Sequence, residues 1–394
     1  MIDTAQAKKI IRDNVLPKPA VQMSLKDVAG LIMAADVYAT CDIPAFPQSS
    51  VDGYAFSFNQ WNSNRELIIE GEIAAGNNQK IEVGIKKAVR IFTGAAVPLG
   101  ADTIVMQERI RTENGKLIID DEKIHQGANL RPQGSEVKAG MLALQKGSLL
   151  SPAAIGFLAG IGTSTVSAFP HPTISIIVTG NELQQPGNRL EYGQVYESSS
   201  FALTSALQLL HIVDVKVHHV RDDLKILTDV LRRTLESSDV VLLTGGISVG
   251  DYDFVLQAAT DSEVTPLFHK VKQRPGKPLY FGKRKESLVF GLPGNPSSVL
   301  TCFYIYVVPA LELLSQHNFG VRTIKAPLSI SYKKAAGLTH YLKGYFDGQI
   351  AKPLDAQESY RMFSFAHANC LIQIEDAVTD CDEGTMLDVH LLPV

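Results

Sequence analysis

The stretch DVVLLTGGISVGDYD, Asp239 to Asp253, decides how this chain is read. A charge-free apolar run, Val240 to Leu243, meets Gly245-Gly246 and then a turn carrying Ser248, Asp251 and Asp253. A short run that is β-branched at its start fits a strand covered on both faces. Paired glycines let the backbone turn sharply and come close to a ligand. Backbone amides there can cradle a phosphate, and the aspartates can hold a cation such as Mg²⁺. The same residues would also serve as a Gly-rich turn whose aspartates cap the next helix. Alone, the loop predicts an anionic ligand with a metal and leaves that ligand open.

Working outward, strand and helix alternate from about His171 to Asn318. TISIIVTG reads as a strand, Phe201 to Leu210 as a helix, and VDVKVHHV as a strand. Leu224 to Glu236 is a helix with Leu224, Leu227, Leu231 and Leu235 on one face. After the opening stretch come Leu279 to Phe281, SLVFGLP and a final helix behind Pro296. This alternation predicts a parallel α/β sheet with ligands at the C-terminal strand ends.

The flanks read differently. Met1 to about Val37 shows two helical patterns separated by Leu16-Pro17-Lys18-Pro19. From about Tyr38 to Leu130, ELIIEGEI, KAVRIFTG, DTIVMQE and GKLIIDD are short alternating runs split by Gly, Pro and Asn. They predict a small β-rich domain. Ser151 and Pro152 mark a helix start, and that helix can pack back on the first zone. The expected architecture is multidomain α/β plus β. A small discontinuous α+β domain takes residues 1–38 and 131–170, with its first helix free to pack on the central domain. A β-rich insertion takes 39–130, the central α/β domain 171–323, and a C-terminal barrel-like or sandwich β domain 324–394.

Bulk properties narrow the function classes. A chain of 394 residues implies two to four domains. A net charge of −4 gives no global pull toward nucleic acid. Four scattered cysteines without CxxC spacing argue against zinc or disulfides and fit a reducing cytoplasm. The start, MIDTAQAKKIIRDNV, is amphipathic and lacks the apolar core of a secretory signal. Two charge-free runs have membrane-span length, Leu149 to Phe169 and Leu292 to Leu311. Polar residues and glycines interrupt the first, and Pro293, Pro296 and Pro309 interrupt the second, so no membrane span is expected.

Other motifs carry chemistry beside plainer readings. TGNEL, Thr179 to Leu183, turns at Gly180 and sets Glu182 at the sheet edge, where it would also do as a solvated residue. In QRPGKP, Arg274 and Lys277 flank Pro275-Gly276 and can converge on one oxyanion, or form a solvated basic turn. In PGNPSS, Pro293, Gly294 and Pro296 stiffen a helix start, with Ser297 and Ser298 beside free amides. FPQSSVDGYAF bends at Asp52-Gly53, and FTGAAVP offers Thr93. Asp222 and Asp223 precede the helix at Leu224, where capping suffices. Walker A, GxGxxG, GxSxG and HExxH are all absent, so nucleophilic catalysis and NAD binding lack support.

Together these residues resemble one family, the molybdopterin molybdenumtransferases of the MoeA and gephyrin E-domain group. The match runs in order along nearly the whole chain: PAFPQSSVDGYAF, GEIAAG, VRIFTGAAVPLGADTIVMQE, RPQGSEVKAG, SIIVTGNEL, LLTGGISVGDYD, RPGKP and GLPGNPSS. The resemblance implies insertion of molybdate into adenylylated molybdopterin, with Mg²⁺-dependent release of AMP. It implies a MogA-like central domain and a homodimer with its active site at the subunit interface. The pterin would come from a molybdopterin adenylyltransferase. By motif, Asp52, Thr93, Glu182, Asp222 and Asp253 take catalytic places, with Glu182, Asp222 and Asp253 on the metal. Gly245, Gly246, Ser248 and Asp251 take the pterin phosphate, and Arg274 with Lys277 takes molybdate. Pro293, Pro296 and Ser297 belong to the rigid substrate loop, and Lys343 and Ser364 are the C-terminal candidates.

The departures are local. Val51 stands for the usual Met, Arg274 for Lys, and Ser199 for Asn. Near GLTHYLKG the family's arginines are reduced to Lys343. AQESYRMFSFAHANC keeps Gln357, Ser359 and Ser364 of a weakened pattern. A scaffold or storage protein on the same fold, or an adenylyltransferase sharing the α/β domain, are the competing functions. The long match disfavours the adenylyltransferase, and the retained acids and RPGKP disfavour the scaffold.

Overall fold

A computed structural model describes residues 1–77, 80–246 and 254–393. The chain divides into two units: Met1–Val21, Gly30–Ile32 and Phe169–Val394 form one, and Gln22–Ala29 with Met33–Ala168 the other.

The first unit is built on a six-stranded sheet. Its order is Val215–Val220, Ile174–Thr179, Val240–Thr244, Ser287–Leu292, Tyr280–Arg284, Thr265–His269. The first four strands are parallel and the last two pairings are antiparallel, with Tyr280–Arg284 the one reversed strand, so the expected parallel sheet has a mixed edge. Alternate side chains serve opposite faces. Ile176, Val178 and Leu242 pack with Leu203, Leu207 and Val299 on one side. Ile177, Val241 and Leu243 pack with Leu227, Leu231 and Val255 on the other. Strands covered on both sides must be apolar throughout, which is why LLT precedes the glycines without alternation.

The N-terminal helix, Thr4–Asn14, is capped by Asp3, whose carboxylate accepts from the Gln6 amide. Its Ala7 and Ile11, with Val15 just beyond, join the core of the α/β sheet. Among the described residues one helical stretch is long and apolar enough to cross a membrane, Pro296–Ser315, and 83% of its apolar window is buried within the protein. It runs α over Pro296–Cys302, π over Phe303–Val307 and α again over Val308–Ser315. Pro309 cannot donate to the carbonyl one turn back, and the wider π turn absorbs that defect.

The C-terminal sheet orders Thr339–Phe346, Cys370–Ile374, Met386–Leu391 and Arg322–Pro327, with Ala351–Pro353 beside the first of these. Its free edge takes Gln273–Arg274 as a parallel strand, pairing Gln273 with Thr339 and Arg274 with His340. The RPGKP segment therefore belongs to both sheets' surroundings.

The second unit centres on another six-stranded sheet, with Gly53–Phe56 between Lys87–Ile91 and Thr103–Met106. The helix at Pro152–Gly160 forms with Ser151 as N-cap, its hydroxyl accepting from the Ala154 amide. The second helical pattern expected before Val37 is corrected. Val21–Ser24 is a strand, and only Leu25–Asp27 makes a 3-10 turn. The backbone there is claimed by tertiary pairing: Leu25 donates to Ser164, Met33 to Ser148 and Ala34 to Ser167. Pairing of this kind overrides a weak local preference.

Candidate active site

The sheet order reverses beside Ile174–Thr179: Val215–Val220, the next strand of this sheet in sequence, lies on one side and Val240–Thr244 on the other. Loops leaving those two C-terminal ends diverge, and ligands bind in the crevice between them. A cavity of about 1010 Å³ opens there.

Gly245 makes the floor possible. It adopts φ +86°, and a Cβ would sit 2.1 Å from the Thr179 carbonyl oxygen. No other residue lets the two strand ends approach so closely. Gly246 follows at φ +62° and packs toward Val255 and Thr179. Ser248, Asp251 and Asp253 lie outside the described residues.

The loop after Thr179 brings Glu182 to the cavity wall with its side chain exposed. Asp222 has a structural task in the fold. Its carboxylate accepts from the Thr179 hydroxyl at 2.5 Å and from the Asn181 amide at 3.0 Å, and it does not line the cavity. It brackets the loop that carries Glu182. Asp223 is the N-cap of the Leu224–Leu235 helix.

Arg274 and Lys277 stand on the cavity wall, both exposed. Neither has an ion-pair partner among the described residues. Between them Pro275 and Gly276 are buried, and Gly276 at φ +85° leaves no room for a Cβ above Cys302 and Gln273. Burial of the Cys302 thiol pushes its pKa up to about 12, so it acts as packing. Lys270 adds a third cation to the wall. Pro293 and Pro296 line the cavity, whereas Ser297 is fully buried beneath that loop.

The C-terminal candidates are corrected. Lys343 is only 2% exposed, and its ammonium donates to the carbonyls of Ala356 (2.6 Å), Arg361 (2.9 Å) and Glu358 (3.3 Å). Desolvation lowers its pKa. Ser364 is buried too and donates to the Ala356 carbonyl at 2.9 Å. Both side chains hold a loop whose other residues reach the cavity: Gln357, Ser359 and Tyr360. Asn295 of PGNP donates to the Ser359 hydroxyl at 2.8 Å and clasps that loop to the α/β domain.

In the second unit, Asp52 and Thr93 form one pair. The Asp52 carboxylate accepts from both the Thr93 amide and hydroxyl at 2.7 Å. These bonds hold the Asp52 carboxyl below the usual carboxylate range. Gly53 is obligatory, because a Cβ would lie 1.9 Å from the Val105 carbonyl oxygen.

Residues of TGNEL, LLTGG, QRPGKP and PGNPSS all line this cavity. These motifs missed Lys270, and they included Gln273 in QRPGKP without giving it a task, which is recognisable only once the turn is folded. No group of three or more His, Cys, Asp or Glu side chains suited to a metal occurs among the described residues.

Comparison with known proteins fits this layout. Residues 2–162 match the model of the MoeA N-terminal region (domain I and II), residues 175–313 that of a probable molybdopterin binding domain, and residues 325–392 that of the MoeA C-terminal region (domain IV). A molybdopterin molybdenumtransferase of Haemophilus influenzae is 30% identical over 408 residues, covering 100% of both chains. One from Staphylococcus epidermidis is 32% identical, covering 98% of this chain and 94% of its own. The solved molybdopterin biosynthesis MoeA protein of Pyrococcus horikoshii superposes with a TM-score of 0.82 at 27% identity, over 100% of this chain and 99% of that one. With all three regions matched in order and full-length relatives at this identity, the chain belongs to the MoeA family of molybdopterin molybdenumtransferases.

Proposed function

We propose that the protein inserts molybdate into adenylylated molybdopterin and releases AMP in a Mg²⁺-dependent step. Its family works in molybdenum cofactor biosynthesis as transferases. One observation carries the finer reading: Arg274 and Lys277 project, exposed and unpaired among the described residues, into the cavity at the strand ends. Molybdate is a tetrahedral dianion, which a guanidinium fork and an ammonium suit. Gly245 keeps the cavity floor free of side chain, so a pterin phosphate can approach backbone amides.

Mg²⁺ binds through one or two carboxylates plus substrate phosphates, and the exposed Glu182 carboxylate fits one such place. Asp253 is the other proposed ligand. When bound, the metal offsets charge on the phosphoanhydride. Asp222 supports this indirectly by fixing the loop under Glu182.

We propose a homodimer as well, with the active site completed at the subunit interface. The helix Pro152–Gly160 is apolar along its length, yet only Leu158 is fully buried, and such a helix needs cover. The Asp52–Thr93 pair would face the partner subunit's cavity. An adenylyltransferase supplies the pterin substrate, and the cysteines, all free, suit the cytoplasm.

The test is incubation with adenylylated molybdopterin, Mg²⁺ and increasing molybdate, following AMP. AMP release that rises with molybdate and stops on chelation is expected. Release indifferent to molybdate would defeat the reading. An Asp253→Asn variant should release AMP slowly while remaining folded.

A further inference from the structure

Beneath Arg274 and Lys277 lies a buried amide, the first residue of QRPGKP, to which the motif reading gave no role. Gln273 is 1% exposed. Its side-chain NH₂ donates to the Gly276 carbonyl at 3.1 Å and to the Cys302 sulfur at 3.5 Å. Its carbonyl oxygen accepts from the Tyr306 hydroxyl. Both N–H donors of the amide are thus directed at the underside of the turn, and its oxygen at Tyr306.

Tyr306 is fully buried on the π segment Phe303–Val307. The extra residue in a π turn rotates the following side chains relative to an α-helix. Here that segment presents the Tyr306 hydroxyl to Gln273. The turn's backbone edge is meanwhile held by the Gln273–Thr339 and Arg274–His340 pairing. The two cations themselves make no ion pair among the described residues, so no ion pair fixes their spacing.

We propose that Gln273 is a positioning residue for oxyanion binding, locked by Tyr306, and that the Tyr306–Gln273–Gly276 chain sets the separation of Arg274 and Lys277. The inference rests on the reading of that turn as the molybdate site. It adds a source of specificity outside the charged groups, because the amide fixes where a tetrahedral dianion can be held.

The experiment measures molybdate-dependent AMP release in the full-length protein for four variants. Gln273→Met keeps volume and removes the amide; it should raise the KM for molybdate about tenfold, the equivalent of one or two lost hydrogen bonds. Its kcat at saturating molybdate and its KM for the adenylylated pterin should stay within about twofold of the parent. Tyr306→Phe, which removes only a hydroxyl, should raise the molybdate KM about two- to threefold. The double variant should match Gln273→Met alone, since Tyr306 acts through the amide. Arg274→Gln is the control for the underlying reading.

An unchanged molybdate KM in Arg274→Gln overturns the oxyanion assignment and this inference with it. A raised KM in Arg274→Gln beside an unchanged one in Gln273→Met overturns the inference alone. A lowered Tm without a molybdate-specific KM change, or equal increases for both substrates, also overturns it. If Gln273→Met does not fold, Tyr306→Phe decides by the same criterion.

Discussion

Arg274 with Lys277 and Lys343 are basic residues expected to do the same work, yet the fold treats them in opposite ways. The first two stand exposed on the cavity wall without ion-pair partners among the described residues. The third is buried and donates to three backbone carbonyls. The difference comes from their supports. Arg274 and Lys277 flank a Pro-Gly turn at a sheet edge, where side chains can reach solvent. Lys343 lies inside Thr339–Phe346, a strand buried at its first six positions. A cation there must find acceptor partners or lose its solvation uncompensated, and a flexible Lys stem can reach several carbonyls. Charge in a motif therefore says little about whether it is free to meet a substrate.

The largest effect should separate the two sites directly. Replacing both Arg274 and Lys277 by Gln should lower kcat/KM for molybdate-dependent AMP release at least about 100-fold. Tm should hardly move, because neither side chain makes an ion pair among the described residues. A loss under about threefold would put these cations in the same class as surface charges.

Lys343→Met should show the reverse. Leaving buried carbonyls of Ala356, Glu358 and Arg361 without their donor should cost about 2–3 kcal/mol of stability, read by denaturant unfolding. The molybdate KM at a permissive temperature should change less than about threefold. If KM rises tenfold with stability intact, Lys343 meets substrate after all.

A smaller effect tests whether Asp222 belongs with the held groups or the free ones. Asp222→Asn keeps an acceptor for the Thr179 hydroxyl and loses the charge. It should slow AMP release about tenfold or less, with the Mg²⁺ concentration for half-activity unchanged. A large shift in Mg²⁺ dependence would make Asp222 a metal ligand instead of a bracket.

The smallest effect concerns pH. Burial and nearby cations depress His171 and His340 to about 4 and His390 to about 3. In the unfolded chain each imidazole takes its proton near 6.5. The unfolded state therefore binds more protons as pH falls below 6.5, and stability declines from there toward pH 4. Above that window the contribution is constant. The neutral His390 ring is bound by Thr323 and Gln373 at 2.8 Å each, so His390→Gln should lower Tm at pH 7 but flatten its fall with acid. An equally steep fall would assign the acid sensitivity elsewhere.

The alternating α/β pattern was legible because doubly covered strands and one-faced helices leave long periodic signals. Leu227, Leu231 and Leu235 show this, all buried on one face. The pattern before Val37 misled because two-residue strands such as Ile32–Met33 leave no period, and their partners lie more than a hundred residues away. At the site, glycines and prolines marked the turns, since backbone geometry demands them. Lys270 was invisible, and Gln273 stood in QRPGKP without a visible role, because their importance comes from what folds around them. Lys343 was misassigned for the same reason: a sequence displays charge but not burial.

The N-terminal helix also shapes how the chain is made. Ala7, Ile11 and Val15 belong to a core that includes Val308, Leu311 and Leu314. During vectorial synthesis at about 5–20 residues per second, the helix waits roughly 15–60 s for those partners. Until then its apolar stripe stays available to other chains and to chaperones. This helix is thus made about 300 residues before the partners that seal it, and delays in translation should raise aggregation.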